Sequence, residues 1–280
     1  MIGTDGERMN GTDSERPLVV GHRGASAHAP ENTLAAFERA HRDGADGIEF
    51  DVRLAADRVP VVIHDATLRR TALRPGAVSS HTFAELARLD AGTWFNRRRP
   101  ARAREEFSRE GVPTLAETLR LFAPRFSVLY VELKCAPAEV RALAEAVVSV
   151  VGELDAGTAG RIVIESFDLG AVADVKRLAP ALRAAALFDR RLRRPLLPAR
   201  EMVARAHDCA ADEVALHSSL ATRRRVEAAR AAGLRTVVWT VDHPAWAARA
   251  SDLGLRALIT NDPARMRRTL DSLGAARAAN

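Results

Sequence analysis

Short apolar, β-branched runs recur along the chain, and most are followed by a stretch of ten to fifteen residues with helical apolar spacing. The runs predict strands at 18–21, 47–54, 126–134, 161–166, 182–188, 213–217, 236–241 and 256–260. The amphipathic stretches predict helices at 31–43, 137–151, 169–178, 200–206, 222–231, 244–250 and 263–270. Pro137, Pro244 and Pro263 stand at three of the helix starts, where a missing N–H costs nothing. Alternation of this kind argues for a parallel sheet with crossover helices. One further run, 59–64, follows the second strand too closely for a parallel crossover, and is expected to fold back on it as a hairpin.

Eight strands in βα order remain, the number a closed barrel needs. The expected class is therefore α/β, a (β/α)8 TIM barrel with a β-hairpin and a small insertion after the second strand. The insertion, 66–112, is expected to be irregular with one helical piece near 83–89, and to lie over the barrel mouth, where βα loops emerge. The barrel is expected to occupy 17–272 as one domain, between a disordered polar tail at 1–16 and a short tail at 273–280.

Composition narrows the class. With 280 residues and 47% hydrophobic content, the chain can bury a full core. It has no apolar run of the roughly 20 residues needed to span a bilayer, and residues 1–17 lack a signal peptide's basic start and apolar stretch. Two cysteines, Cys135 and Cys209, make neither a disulfide framework nor a zinc spacing, so free thiols in a reducing, cytoplasmic setting are expected. Net charge is +6, but the excess is arginine spread along an alanine-rich chain, without a basic recognition helix or nucleic-acid motif. Arg97, Arg98 and Arg99 form either a solvated loop or a phosphate-attracting patch, which leaves weak association with anionic lipid open. Only Lys134 and Lys176 are lysine, so Lys134 marks a place that wants a compact ammonium.

The polar residues gather at strand C-termini, where barrel enzymes place their chemistry. Glu49 and Asp51 lie two apart in the second strand, and Glu132 and Lys134 two apart in the third, so each pair shares a face. Side-by-side carboxylates repel, and three from neighbouring strands suit a hard cation such as Mg²⁺ or Ca²⁺. The alternative for Glu49 and Asp51 is a solvated edge strand; the second pair, in an apolar run, favours a site. His22 and His64 each end an apolar strand and suggest a general acid and a general base, in an order the residues leave open. Arg23 supplies a fixed fork for phosphate oxygens.

The stretch from GHRG through PENT and EFDV to IHD, followed by LDAGTWF, VPTLAETL, VELK, ESFD, VVWTVD and ITNDP, resembles the glycerophosphodiester phosphodiesterase family in order and approximate spacing. The resemblance spans 18–263, almost the whole chain. It implies His22 and His64 as the catalytic histidines, and Glu49, Asp51 and Glu132 as ligands of one divalent cation: Mg²⁺, Ca²⁺ or Mn²⁺. It also implies Arg23 and Lys134 as phosphate contacts, and an insertion bearing Trp94 and Phe95 as a cap. Trp239 is similar to an aromatic at the glycerol end, or else is a core or rim tryptophan. The implied substrate is a small glycerophosphodiester, cleaved to sn-glycerol 3-phosphate and an alcohol, with attack by the substrate's own glycerol hydroxyl through a cyclic phosphate. The rivals are lysophospholipid cleavage, which needs an apolar channel beside the insertion, and a non-catalytic phosphate-binding barrel. His28 stands where an aromatic is expected, Glu165 either tunes the cation or pairs with an arginine, and His217 is read as structural. Asn261 and Asp262 either join the site or cap the last helix.

Overall fold

A computed structural model of the chain describes residues 16–190 and 197–278. The polar stretch 1–15 lies outside the described residues. The strands are β1 (Leu18–His22), β2 (Gly47–Leu54), β3 (Pro60–Val62), β4 (Val128–Leu133), β5 (Ile162–Ser166), β6 (Arg183–Phe188), β7 (Glu213–His217), β8 (Arg235–Trp239) and β9 (Ala257–Thr260). All but β3 form one ring of parallel neighbours in the order β1-β2-β4-β5-β6-β7-β8-β9, closed by β9 pairing with β1. The ring is the expected TIM barrel. β3 runs antiparallel to β2, with Val52 opposite Val62, as the short spacing predicts.

The helices are α1 (Leu34–Arg42), α2 (Phe83–Leu86), α3 (Thr93–Arg98), α4 (Leu115–Phe122), α5 (Val140–Gly152), α6 (Ala156–Ala159), α7 (Leu169–Leu178), α8 (Ala199–Asp208), α9 (Arg223–Ala231), α10 (Ala245–Leu253) and α11 (Pro263–Ala278). Side chains of Thr33, Thr114, Asp168 and Thr222 accept backbone N–H bonds at the starts of α1, α4, α7 and α9, satisfying donors that would otherwise be orphaned. Four helices depart from the pattern-based expectation. The short α3 and α6, and α4, the crossover between β2 and β4, are not among the predicted helices. α11 continues to Ala278 instead of ending near Leu270, because Met266, Leu270 and Leu273 recur at helical spacing against the core.

Strand alternation divides the core. Ile48, Phe50 and Val52 face the helices, as do Leu129 and Val131. Val20, Tyr130, Val163, Ala185, Ala215, Val237 and Ile259 point into the barrel, where alanines leave room for the Tyr130 ring. Tyr130 donates to Glu213 Oε2 at 2.8 Å, giving a buried phenol its partner. Both cysteines are free. Among the described residues, no helix is long and apolar enough to cross a membrane.

The insertion builds its own small core from Leu68, Ala72, Val78, Leu86, Ala91 and Val112 against Val61 and Ile63 of the hairpin. Trp94, Phe95 and Phe107 close over Ala29 and Ala36, beside the β1–α1 connection. Gly92 cannot carry a side chain here, since a Cβ would lie 1.8 Å from the Phe107 carbonyl oxygen. Arg97 and Arg98 end α3 as exposed residues, while Arg99 donates to the Ala27 carbonyl at 3.3 Å.

Candidate active site

The C-terminal rim of the barrel holds a pocket of about 220 Å³. His22, Arg23, Glu49, His64, Glu132, Lys134 and Glu165 form its polar wall; Phe167, Leu187, Trp239 and Ile259 form the apolar one, with Asp189 at its edge. The two-residue spacing has the expected effect: Glu49, Asp51 and Glu132 are all at most 7% exposed, so the solvated-edge alternative for β2 falls.

β1 runs into the turn that presents His22 and Arg23. Arg23 (φ 54°) and Asn32 (φ 58°) both occupy the left-handed region, which costs non-glycine residues of order 1 kcal/mol or more and concentrates at working sites. Gly24 has φ 80°, and a Cβ there would come within 2.6 Å of the Ala36 backbone, so the glycine is required. Arg23 N–H donates to Glu49 Oε2 at 3.0 Å, its Nε lies 3.1 Å from Asp51 Oδ2, and its NH1 donates to Glu31 Oε1 at 2.7 Å.

Asp51 also accepts from Asn32 Nδ2 at 2.8 Å, and its Oδ1 lies 3.4 Å from Lys134 Nζ. Burial opposes its ionisation, but Arg23 and Lys134 outweigh burial and hold the carboxyl well below its usual range. The other carboxylates behave oppositely. Ligand oxygens of Glu49, Glu132 and Glu165 lie within 4.8 Å of one another. Burial raises all three, followed by the charge of Asp51 for Glu49 and Glu132 and by that of Glu49 and Glu132 for Glu165, with Glu132 pushed up to about 7 although Lys134 Nζ lies 2.7 Å from its Oε1. One ammonium shared among several carboxylates does not compensate their loss of water. Glu165 Oε2 has no hydrogen-bond partner among the described residues, and no arginine pairs with it there. A buried, unpartnered carboxylate oxygen beside two others fits a hard divalent cation.

Each histidine is oriented through Nδ1. His22 Nδ1 lies 2.7 Å from Asn261 Oδ1, and Asn261 Nδ2 donates to Asp242 Oδ2 at 2.7 Å, which fixes the amide's orientation. The oxygen accepts, so His22 Nδ1 carries a proton and Nε2, 3.9 Å from Glu49 Oε2, is left free. Burial, helped by Arg23, lowers His22 to about 4. His64 Nδ1 lies 2.6 Å from Asp65 Oδ1, and burial, more than any charge, likewise favours the neutral ring.

Lys134 leans under the Phe167 ring, its Nζ 5.5 Å from the centroid. Trp239 stands between Phe167 and His217, with ring centroids 5.4 and 5.3 Å away. It lines the pocket, unlike Trp94 and Phe95, which are buried within the insertion. His28 pairs with Asp262 at 3.2 Å, and His217 Nδ1 meets Ser219 Oγ at 2.8 Å; neither lines the pocket. The two residues after β9 divide the roles expected of them: Asn261 holds His22, and Asp262 Oδ1 caps α11 by accepting from Arg265 N–H at 3.0 Å. Glu31, Asn32, Asp65, Arg70 and Asp242, which the sequence does not single out, are hydrogen-bonded to the predicted site residues directly or through one another or Asn261. The first two lie within PENT, where an acid and an amide flanked by Pro30 and Thr33 were the available signal.

A sequence profile described as the glycerophosphoryl diester phosphodiesterase family matches residues 22–265. A glycerophosphodiester phosphodiesterase of Caldanaerobacter subterraneus subsp. tengcongensis is 34% identical over 250 residues, covering 89% of this chain and 95% of that protein. One from Bacillus subtilis is 31% identical, covering 89% of this chain and 85% of its own. Among solved structures, an Oleispira antarctica phosphodiesterase in complex with the product sn-glycerol-3-phosphate superposes with a TM-score of 0.80. It is 27% identical and covers 91% of this chain and 97% of its own.

Proposed function

The chain belongs to the glycerophosphoryl diester phosphodiesterase family, and on that premise we propose that it hydrolyses small glycerophosphodiesters to sn-glycerol 3-phosphate and an alcohol, by cation-assisted general acid–base catalysis with two histidines. The observation that carries the reading is the pocket itself, where two imidazoles with free Nε2 atoms share a wall with Arg23, Lys134 and the buried carboxylates.

Glu49, Asp51 and Glu132 would hold one divalent cation, with Glu165 on the adjoining strand facing the same position. Bound there, the cation would supply Lewis-acid stabilisation of charge on the phosphoryl oxygens. Arg23 and Lys134 contact those oxygens with fixed positive charge. Trp239 and Phe167 receive the glycerol end on the apolar wall. One histidine, neutral, takes a proton from the attacking glycerol hydroxyl at Nε2, and the other, as the imidazolium, delivers its Nε2 proton to the departing alcohol oxygen. Water then opens the cyclic phosphate with the two roles exchanged, which restores both protonation states. Both Nδ1 atoms already have acceptors, so neither ring must turn to present its reactive nitrogen.

Lysophospholipids fit less well. Among the described residues, none from 66–112 lines the pocket, whose apolar wall is instead the short set Phe167, Leu187, Trp239 and Ile259 of the barrel rim. A panel of glycerophosphodiesters and lysophospholipids, assayed with defined divalent cations, tests the reading. Release of sn-glycerol 3-phosphate from the water-soluble esters is expected; faster cleavage of the lysolipids would overturn the substrate class.

Lys134 provides a sharper check. It is 17% exposed between Asp51 and Glu132 and under Phe167, so a guanidinium has little planar room. Lys134→Arg is expected to fail nearly as badly as Lys134→Ala in kcat/KM, while cation affinity measured by calorimetry stays within a few-fold of the parent. Parental kcat/KM in Lys134→Arg would show that charge alone suffices.

A further inference from the structure

Arg70 of the insertion is hydrogen-bonded to two carboxylates behind the polar wall. Its Nε and NH2 donate to Asp65 Oδ2 and Oδ1 at 2.7 and 3.0 Å, and its NH1 and NH2 donate to Glu31 Oε2 and Oε1 at 2.7 and 2.8 Å. Both carboxylates are thus gripped in fork geometry by a single guanidinium, which lysine cannot reproduce. Each carboxylate also holds a residue of the pocket: Asp65 Oδ1 meets His64 Nδ1 at 2.6 Å, and Glu31 Oε1 accepts from Arg23 NH1 at 2.7 Å. The Arg70 guanidinium carbon lies 5.7 Å from the centroid of Trp94, so the same group is stacked on the insertion's own aromatic core.

We propose that Arg70 is a positioning residue that sets His64 and Arg23 through Asp65 and Glu31, so that seating the insertion and assembling the site are one event. The proposal rests on the reading of His64 as a proton-transfer residue and Arg23 as a phosphate contact. Four directed bonds leave the guanidinium no alternative arrangement that keeps both carboxylates, and each carboxylate has its second partner inside the pocket. Removing Arg70 leaves Asp65 and Glu31 as neighbouring anions without their common cation. Asp65 is then free to leave His64 Nδ1, and the imidazole loses the bond that selects its tautomer.

The test uses the full chain labelled with ¹⁵N at histidine, with hydrolysis assayed in the presence of Mg²⁺. In the parent, neutral His64 is expected as the Nδ1–H tautomer. In Arg70→Ala it is expected as a mixture, with kcat lowered about 10- to 100-fold, the usual scale for residues that orient a working group. Arg70→Lys, which keeps the charge and one contact at most, is expected to lie between them, and serves alone should Arg70→Ala not fold. An unchanged His64 tautomer in the folded variant overturns the proposal, whatever its activity. A parent that hydrolyses no glycerophosphodiester overturns the functional reading instead, and the tautomer measurement still decides the role of Arg70.

Discussion

Exhaustive EDTA treatment is expected to abolish hydrolysis, and Mg²⁺, Ca²⁺ or Mn²⁺ to restore it. The reason is electrostatic. Glu49, Glu132 and Glu165 are buried together with their ligand oxygens within 4.8 Å, and Lys134 is the nearby ammonium they share. Without a further cation, burial holds all three carboxyls above their ordinary range. This carries a signature in stability. A carboxyl with a raised folded pKa keeps its proton where the unfolded chain has already lost it, so the folded state binds more protons and stability falls with rising pH. For Glu132 the window runs from 4.5 to about 7. His22, lowered from 6.5 to about 4, acts with the opposite sign on the cation-free protein, so the diagnostic quantity is the gain in Tm on adding Mg²⁺, which should widen with pH across that window. Asp51, held low by Arg23 and Lys134 against burial, stays ionised throughout and adds nothing to this slope. Full turnover after chelation, or a Tm gain independent of pH, would remove the cation from the reading.

His22→Ala and His64→Ala are each expected to lower kcat by at least about 10²-fold, the scale of general acid–base catalysis, with melting temperatures little changed. Both rings are partly exposed at the rim, with side-chain accessibilities of 19% and 30%, so their removal leaves no large apolar cavity. Their supports differ in charge. His22 leans on a neutral amide oxygen, whose pull toward the imidazolium burial outweighs, and His64 on a carboxylate, which also supports the imidazolium. Near-parental kcat in either variant, or a loss that merely tracks unfolding, would contradict the pairing.

What the sequence determined by itself is whatever depends on local periodicity. Strand alternation placed Glu49, Asp51 and Glu132 inside the barrel, because successive Cβ atoms leave a strand on opposite faces wherever that strand ends up. A connection too short for a crossover made β3 a hairpin partner, and eight βα steps made a closed ring. The helix α4 escaped because it follows the irregular insertion, where no strand announces it. The resemblance named the histidines, but nothing local showed what holds them. Only the tertiary structure decided that Asn261, at the far end of the chain, lies against His22, since that contact exists only once β9 closes on β1. The β4–β5 register likewise set Glu165 opposite Glu132, so that the carboxylates brought together are Glu49, Glu132 and Glu165, with Asp51 held apart by Arg23 and Lys134. Packing of the insertion turned Trp94 inward and Arg70 outward to Glu31 and Asp65, reversing the emphasis that aromatic residues in a cap suggest. Which residues share a face follows from bond geometry along one strand, whereas which faces meet is decided by ring closure and register among segments far apart in sequence.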